Sequence, residues 1–465
     1  MIADHTTPTD GFAVRARDLL RVRAVWALPL VLASVVVGVM TAFYMASVVD
    51  PLSHLHGLPV AVVNQDRDVM TGAQRLDIGQ QVRAGLLASP VAGPLRLEVM
   101  TLPAAERVMD RGGTYATVVI PPDFTAALLT EAGLPAAGAT AGRSQIEILT
   151  SQRAGTVGVS LASGLLRPAL DTASQQIGRQ LAMLAGASGS VAATRAFLAS
   201  PITVVTSPYR PLPANSGLGA SAFYLALLTL MCGFLAGTIV HTSVDATLGY
   251  ATTDIGPRWR QAQPLPISRL QTLIAKWMIA AALTAVLSGL MLAVAAGVVG
   301  TDTPHPVLLL LYTWLCSASV AAGTIVLFAV LGTPGQMVAI LAFIYAGLAS
   351  AGGIVPVEAL PAFLRWLSQV EPLRQILVGT RAILYFGAQA NAGLTRGASA
   401  AGLGLLFWLV AGVLMVRWYD RRRLHRMDPE LLAYVSTAVQ VYRERHGGAR
   451  TADSSSANTP ATWPD

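Results

Sequence analysis

Hydrophobic positions along this chain gather into six long runs. The first, about Ala24–Val49, stands alone. Five more lie close together at about Leu218–His241, Leu270–Val299, Pro306–Leu331, Met337–Ile354 and Ala398–Trp418. A membrane helix needs about 20 mostly apolar residues, so each run predicts a span. Arg15, Arg17, Arg21 and Arg23 precede the first run, as basic residues precede the core of a signal peptide. Its apolar stretch is too long for such a core and no small-residue cleavage site follows, which predicts an uncleaved anchor. Gly352, Gly353 and Pro356 interrupt the far end of the fifth run. The pattern predicts an α-helical polytopic membrane protein with six transmembrane helices, one plus five.

Between the first run and the second the pattern changes. Leu58–Asn64 is a short β-branched run that reads as a buried strand, and Leu95–Met100, Thr114–Ile120 and Ile146–Leu149 read as further strands. Leu76–Leu87 and Pro103–Asp110 have helical spacing. Pro121 and Pro122 stand where a helix start tolerates proline, which predicts a helix through about Glu131. The alternation predicts a small α/β domain. A long helix follows over about Val157–Leu184, weakened by Gly158, Gly164 and Gly178; it is expected to pack on its own domain, with a stalk or pairing surface as the alternative. Ile202–Thr206 reads as a strand returning towards the membrane.

Charge gives the layout an orientation. Only 12% of the 465 residues are charged, about half the usual fraction for a soluble domain. Arginines cluster in the N-terminal arm, between runs two and three (Arg258, Arg260, Arg269) and after run six (Arg417, Arg421, Arg422, Arg423, Arg426). Six spans put all three clusters on one side, which the positive-inside rule makes cytoplasmic. The implied divisions are a cytoplasmic arm over 1–23, a first helix over 24–49 and an extracytoplasmic α/β domain over 50–216. A five-helix membrane domain over 217–420 and a cytoplasmic basic tail over 421–465 follow, the tail disordered after about Gly447. Topology accounts for the net charge of +7, so no nucleic-acid partner is inferred. Cys232 and Cys316 lie inside apolar runs and imply packing, not a disulfide framework.

Four stretches resemble the membrane subunits of type-2 ABC exporters (ABC-2 type permeases), most closely the phage infection protein (YhgE/Pip-like) group. They are Leu58-Pro59-Val60-Ala61-Val62-Val63-Asn64-Gln65-Asp66 with Leu76-Asp77-Ile78-Gly79; Gly112–Phe124, ending in Pro121-Pro122-Asp123-Phe124; Pro264-Leu265-Pro266-Ile267-Ser268-Arg269 with Lys276; and Ala351–Pro361 followed by Glu371-Pro372 and Arg381. The segment Arg67–Gly72 departs from the glycine-rich turn usual in that family. The resemblance implies a six-helix exporter-type membrane domain, in a homo- or heterodimer, in a bacterial plasma membrane. It also implies an outer re-entrant segment at about 352–390.

Chemistry along the chain is sparse. A P-loop needs a lysine after a glycine-rich turn, and the single lysine, Lys276, stands in Ile274-Ala275-Lys276-Trp277. The chain is therefore not expected to be an enzyme, and ATP-driven export requires a separate ATP-binding subunit. Arg258, Arg260 and Arg269 are candidates for the loop that couples to it, the alternative being that they only fix topology. Gly352, Gly353, Pro356, Glu358, Pro361 and Arg381 are candidates for an exit gate, or for interfacial anchoring of a hairpin together with Arg365, Glu371 and Arg374. Lys276 lies near a helix end, where lysine is expected to snorkel to the interface. His54 and His56 would share a face in an extended segment, but nothing else in the domain completes a metal site. Asn64 and Asp66 are expected to shape a turn rather than bind a cation. No cofactor is implied. The favoured reading is an exporter subunit for a hydrophobic or amphipathic substrate. The alternative is a non-transporting scaffold or receptor whose outer domain binds an extracellular partner.

Overall fold

A computed structural model describes residues 23–71, 74–135, 144–185, 192–255, 258–260, 262, 264–422, 424 and 437. The expectations for the N-terminal arginines before Arg23, for Arg423 and Arg426, and for the tail beyond Gly447 lie outside these residues.

The first helix, α1, runs Arg23–Val48. A five-stranded sheet follows, from β1 (Leu58–Asn64), β4 (Leu95–Val99), β5 (Ala116–Ile120), β6 (Gln145–Thr150) and β7 (Thr203–Pro208), in the order β4-β1-β5-β6-β7. β1 is parallel to both neighbours, β5 and β6 are antiparallel, and β6 and β7 are parallel. β2 (Val69–Thr71) and β3 (Gln74–Leu76) form a separate short hairpin. Alternation along β1 explains why the sheet is covered on both faces. Leu58 and Val60 point into a large core, and Ala61 and Val63 into a smaller one under α3 (Leu102–Met109).

The large core is closed by α2 (Ile78–Ala88), α4 (Phe124–Glu131) and α5 (Thr156–Ala185). Ile78, Val82 and Leu86 recur every four residues and all are buried, as an amphipathic helix requires. Along α5 the buried residues Ala162, Leu166, Leu170, Ile177 and Leu181 face the same core, so this helix packs on its own domain. Pro168 sits on its exposed side, where solvent can meet the lost backbone bond. A short α6 (Ala192–Ala199) packs against α5.

Two boundaries differ from the pattern-based expectation. Leu76 belongs to β3, and α2 starts two residues later because Asp77 caps it, accepting from the Gln80 N–H at 2.8 Å. Pro121 and Pro122 precede α4 rather than opening it, because Asp123 takes a left-handed conformation at φ 61°.

Among the remaining described residues the regular structure is helical apart from a small hairpin, β8 (Thr253–Ile255) with β9 (Arg258–Arg260). Among the described residues four helices are long and apolar enough to cross a membrane: α7 (Ser221–Thr247), α8 (Arg269–Leu292, extended by wide turns to Val298), α9 (Pro306–Leu331) and α13 (Leu394–Arg421). Two shorter apolar helices are Ala33–Val48 within α1 and α10, Pro334–Ser350. The six expected spans are thus four by length and composition. α10 ends at Ser350, short of Ile354, and its 17 residues reach about 26 Å against a hydrocarbon core of about 30 Å. α9 lies at the centre, against α7, α8 and α13, whereas α8 and α13 leave most of their apolar surface exposed. Between α10 and α13 a bent pair of helices, here termed the hairpin, comprises α11 (Ala362–Val370) and α12 (Pro372–Tyr385), joined through Glu371.

Candidate functional site

The hairpin begins where α10 must stop. Gly352 takes φ +70°, and a Cβ there would lie 2.5 Å from Val357 Cγ2. A Cβ on Gly353 would lie 2.0 Å from the Phe223 ring of α7, so the Gly-Gly pair lets the chain turn flush against that helix. Gly353→Ala is accordingly expected to cost about 1–3 kcal/mol through overpacking, seen as a lower melting temperature of the detergent-solubilised protein. Pro356 leads into a 3₁₀ turn over Val357–Ala359, and Pro361 precedes the start of α11. Buried Glu371 makes the sharp turn into α12, its carboxylate accepting from the N–H groups of Leu373 and Arg374. This is an N-cap made by a glutamate at a helix start, where negative charge is favoured.

This hairpin meets the sheet domain in one continuous core: Val355, Val357, Leu360 and Leu364 pack in the same cluster as Leu58 and Leu166. Polar groups line the seam. The His56 N–H donates to Glu358 O at 3.0 Å, and Arg153 Nη1 donates to Tyr385 O at 3.0 Å. Arg381 Nη2 donates to Gly353 O at 3.2 Å. Tyr115, at the mouth of β5, sits beside the Glu358 carboxylate with Arg381 and Arg374 in electrostatic reach. Desolvation raises the Tyr115 hydroxyl pKa, Glu358 adds to the rise and the two arginines oppose it, so the phenol stays a neutral donor. Glu358 Oε2, Arg365 Nε and Arg374 Nε are buried without hydrogen-bond partners among the described residues. Groups of this kind cost about 1–3 kcal/mol each, which makes the seam a poorly satisfied joint inside a well-packed core.

Of the residues singled out by sequence, Gly352, Gly353, Pro356, Glu358 and Arg381 therefore gather at one joint, with Pro361 at the start of its next helix. Tyr115 and Arg153 complete it and were not singled out. Nothing local marks them, since their partners are more than 200 residues away in sequence.

The opposite ends of the helices hold a second polar cluster. Lys276 is 3% exposed, and its Nζ lies 2.7 Å from Asp245 Oδ1 and 3.1 Å from His241 Nδ1. His241 Nε2 lies 3.2 Å from Asp245 Oδ2, and its ring stacks on Phe328 at 4.6 Å. The expectation that Lys276 snorkels is overturned: a carboxylate on the neighbouring helix holds it inside. His241 and Asp245, spaced i and i+4 on α7, were missed because that apolar run was ended at His241. Arg269 opens α8 behind the Ser268 N-cap, lies 3.9 Å from Asp420 Oδ1 and stacks over Tyr419. The side chains of Arg258 and Arg260 lie outside the described residues; their backbone forms β9.

A third feature is an apolar groove of about 530 Å³ between α9, α10, α12 and α13, lined by Cys316, Phe343, Leu367, Glu371, Gln375 and Trp408. Two of its polar side chains are engaged: Glu371 caps α12, and Gln375 accepts from Arg396 Nε at 3.0 Å. The groove offers surface to an apolar occupant.

Near the first helix, Pro51–His54 is a turn rather than an extended segment. His54 Nδ1 contacts Asp50 O at 2.9 Å, and His56 Nδ1 contacts His54 O at 2.6 Å. Among the described residues no three His, Cys, Asp or Glu side chains are placed to hold a metal ion.

The family model for ABC-2 family transporter proteins matches residues 23–415, which include α1, the sheet domain, the hairpin and almost all of α13. The chain belongs to the ABC-2 transporter family. No curated protein and no solved structure matches it. An ABC-2 transporter protein is the membrane component of a transport system and not itself catalytic, and such components generally work with a separate ATP-binding subunit.

Proposed function

We propose that this ABC-2 protein is the permease of an ATP-driven exporter that moves a hydrophobic or amphipathic substrate across the plasma membrane. The observation that carries this reading is the apolar groove beside the hairpin, in a protein of a transporter family. In the proposed arrangement α1 and α10 join the four longer helices to make six spans, with both termini cytoplasmic. The sheet domain lies outside, and residues of about 352–390 form a re-entrant segment. Two such subunits, identical or different, enclose the path, and the YhgE/Pip-like group supplies the nearest pattern.

The poorly satisfied seam around Glu358, Tyr115 and Arg381 suits a gate, because little hydrogen-bond energy is lost when it opens. The β8–β9 hairpin suits the contact with a separate ATPase, with Arg269 at the start of α8 receiving the push, since a short two-stranded element ahead of α8 can transmit force to that helix. Charge reversal of Arg258 and Arg260 together is expected to reduce export severalfold while leaving protein levels unchanged, as read by accumulation of lipophilic fluorescent compounds in cells. Pull-down from native membranes is expected to recover an ATPase. Unchanged tolerance of lipophilic compounds on gene deletion, with no ATPase recovered, would favour the scaffold or receptor reading instead.

A further inference from the structure

The cluster around Lys276 faces a cavity of about 320 Å³, lined among others by His241, Asp245, Arg269, Lys276, Phe328 and Tyr419. It lies where the end of α7, the start of α8 and the end of α13 converge. Its charged lining is two cations against one carboxylate, and that carboxylate is already engaged, holding Lys276 at 2.7 Å and His241 at 3.2 Å. Among the described residues, Arg269 is the lining cation that this carboxylate does not hold. Its Nη1 is buried without a hydrogen-bond partner among the described residues, and Asp420 at 3.9 Å is beyond hydrogen-bond range. Tyr419 holds the guanidinium from one side, with its centre 5.7 Å from the ring, and Tyr419 is itself fixed by donating to Val330 O at 2.8 Å.

A guanidinium held flat with an unused donor is suited to a phosphate oxygen, which accepts strongly and in a planar fork. The start of α8 adds the positive end of a helix dipole to the same wall. Apolar Leu273, Phe328 and Val416 also line it, which suits a ligand that continues into the bilayer. Basic pockets between membrane helices at the cytoplasmic face have the form that takes anionic head groups.

We propose that this cavity binds the phosphate head group of an anionic phospholipid. Placing that lipid in the cytoplasmic leaflet rests on the orientation proposed above; the binding itself does not. Arg269 meets the phosphate, Lys276 adds its field from behind, and Phe328 and Val416 line the way for the glycerol and first methylenes. The head group would brace α8 against α13 next to the loop that leads from β9 into α8.

The test uses the full chain in detergent, with lipid retention counted by native mass spectrometry after addition of phosphatidylglycerol or phosphatidylcholine. The wild type is expected to retain phosphatidylglycerol in preference to phosphatidylcholine. Arg269→Gln is expected to weaken that retention about fivefold, the loss for one basic residue near an anionic head group. Ala329→Trp, at an exposed position in the cavity lining, leaves every charge in place and is expected to block the site by volume. Equal retention of both lipids, or phosphatidylglycerol retained undiminished by both variants, overturns the proposal. Displacement of the lipid by millimolar inorganic phosphate alone would also overturn it, by making the site one for a soluble phosphate compound. The measurement needs neither ATPase nor substrate, so its failure leaves the export reading standing.

Discussion

Lys276→Met is expected to destabilise the membrane domain by about 3–5 kcal/mol, the cost of leaving one member of a buried ion pair without its counter-charge. Asp245 would lose the cation 2.7 Å away, in surroundings that include His241, Phe328 and Leu273. The loss is electrostatic rather than steric, since methionine fills nearly the same volume as the lysine stem. Two controls separate these causes. Asp245→Asn alone removes the carboxylate beside Lys276 and is also expected to destabilise. The double variant Lys276→Met with Asp245→Asn removes both charges, keeps an acceptor for His241, and is expected to recover most of the loss, because a buried pair replaced together is often near neutral. Thermal unfolding in detergent, followed by tryptophan fluorescence, provides the readout. A Lys276→Met protein that melts with the wild type would show that the lysine does reach water and that the cluster holds nothing together.

Lys276 also marks the limit of what the sequence made legible. Reading one helix at a time, a lysine two turns from a helix start is expected to snorkel, and only the neighbouring helix changes that. The strands β1, β5 and β6 were legible as short runs rich in β-branched residues and β4 by its alternation, and each was placed within two residues of its observed ends. Gly352, Gly353 and Pro356 announced a break in the fifth apolar run, since two flexible residues and a proline cannot continue a helix. Their close fit to Phe223 could not be read, because it depends on α7 lying alongside. Tyr115 and Arg153 were invisible for the same reason. A buried polar joint is assembled from residues far apart in the chain, and composition carries no trace of the pairing. The end of α10 was placed four residues too far because hydropathy counts apolar residues past the point where Gly352 turns the backbone.

Asp66→Ala is expected to cost the sheet domain about 3–5 kcal/mol, on the basis of two or three charge-assisted hydrogen bonds at about 1.5 kcal/mol or more each. The motif Asn64-Gln65-Asp66 was expected to shape a turn, and Asn64 does so, accepting from the Asp66 N–H at 3.1 Å. The Asp66 carboxylate does more. One oxygen accepts from the Thr125 N–H and the other from the Gly79 N–H, each at 3.0 Å, while the Thr125 hydroxyl donates to it at 2.5 Å. Thr125 Oγ1 in turn accepts from the Ile78 N–H at 2.8 Å. One side chain at the end of β1 thus satisfies the starts of both α2 and α4, whose first N–H groups have no partners within their own helices. Gly79 is required for this approach, since a Cβ there would lie 2.6 Å from Asp66 Cβ. Asp66→Asn discriminates between the roles. Asparagine forms such turns as readily as aspartate, so a turn-only role predicts little change. An amide cannot accept at both ends, so the two-helix cap predicts a substantial loss. Hydrogen exchange on the full chain is expected to quicken at residues 78–82 and 124–128 in both variants, more in Asp66→Ala. Because α2 and α4 close the same core that continues into Val357 and Leu364 of the hairpin, the slackening is expected to reach Glu358 even though Asp66 touches nothing there.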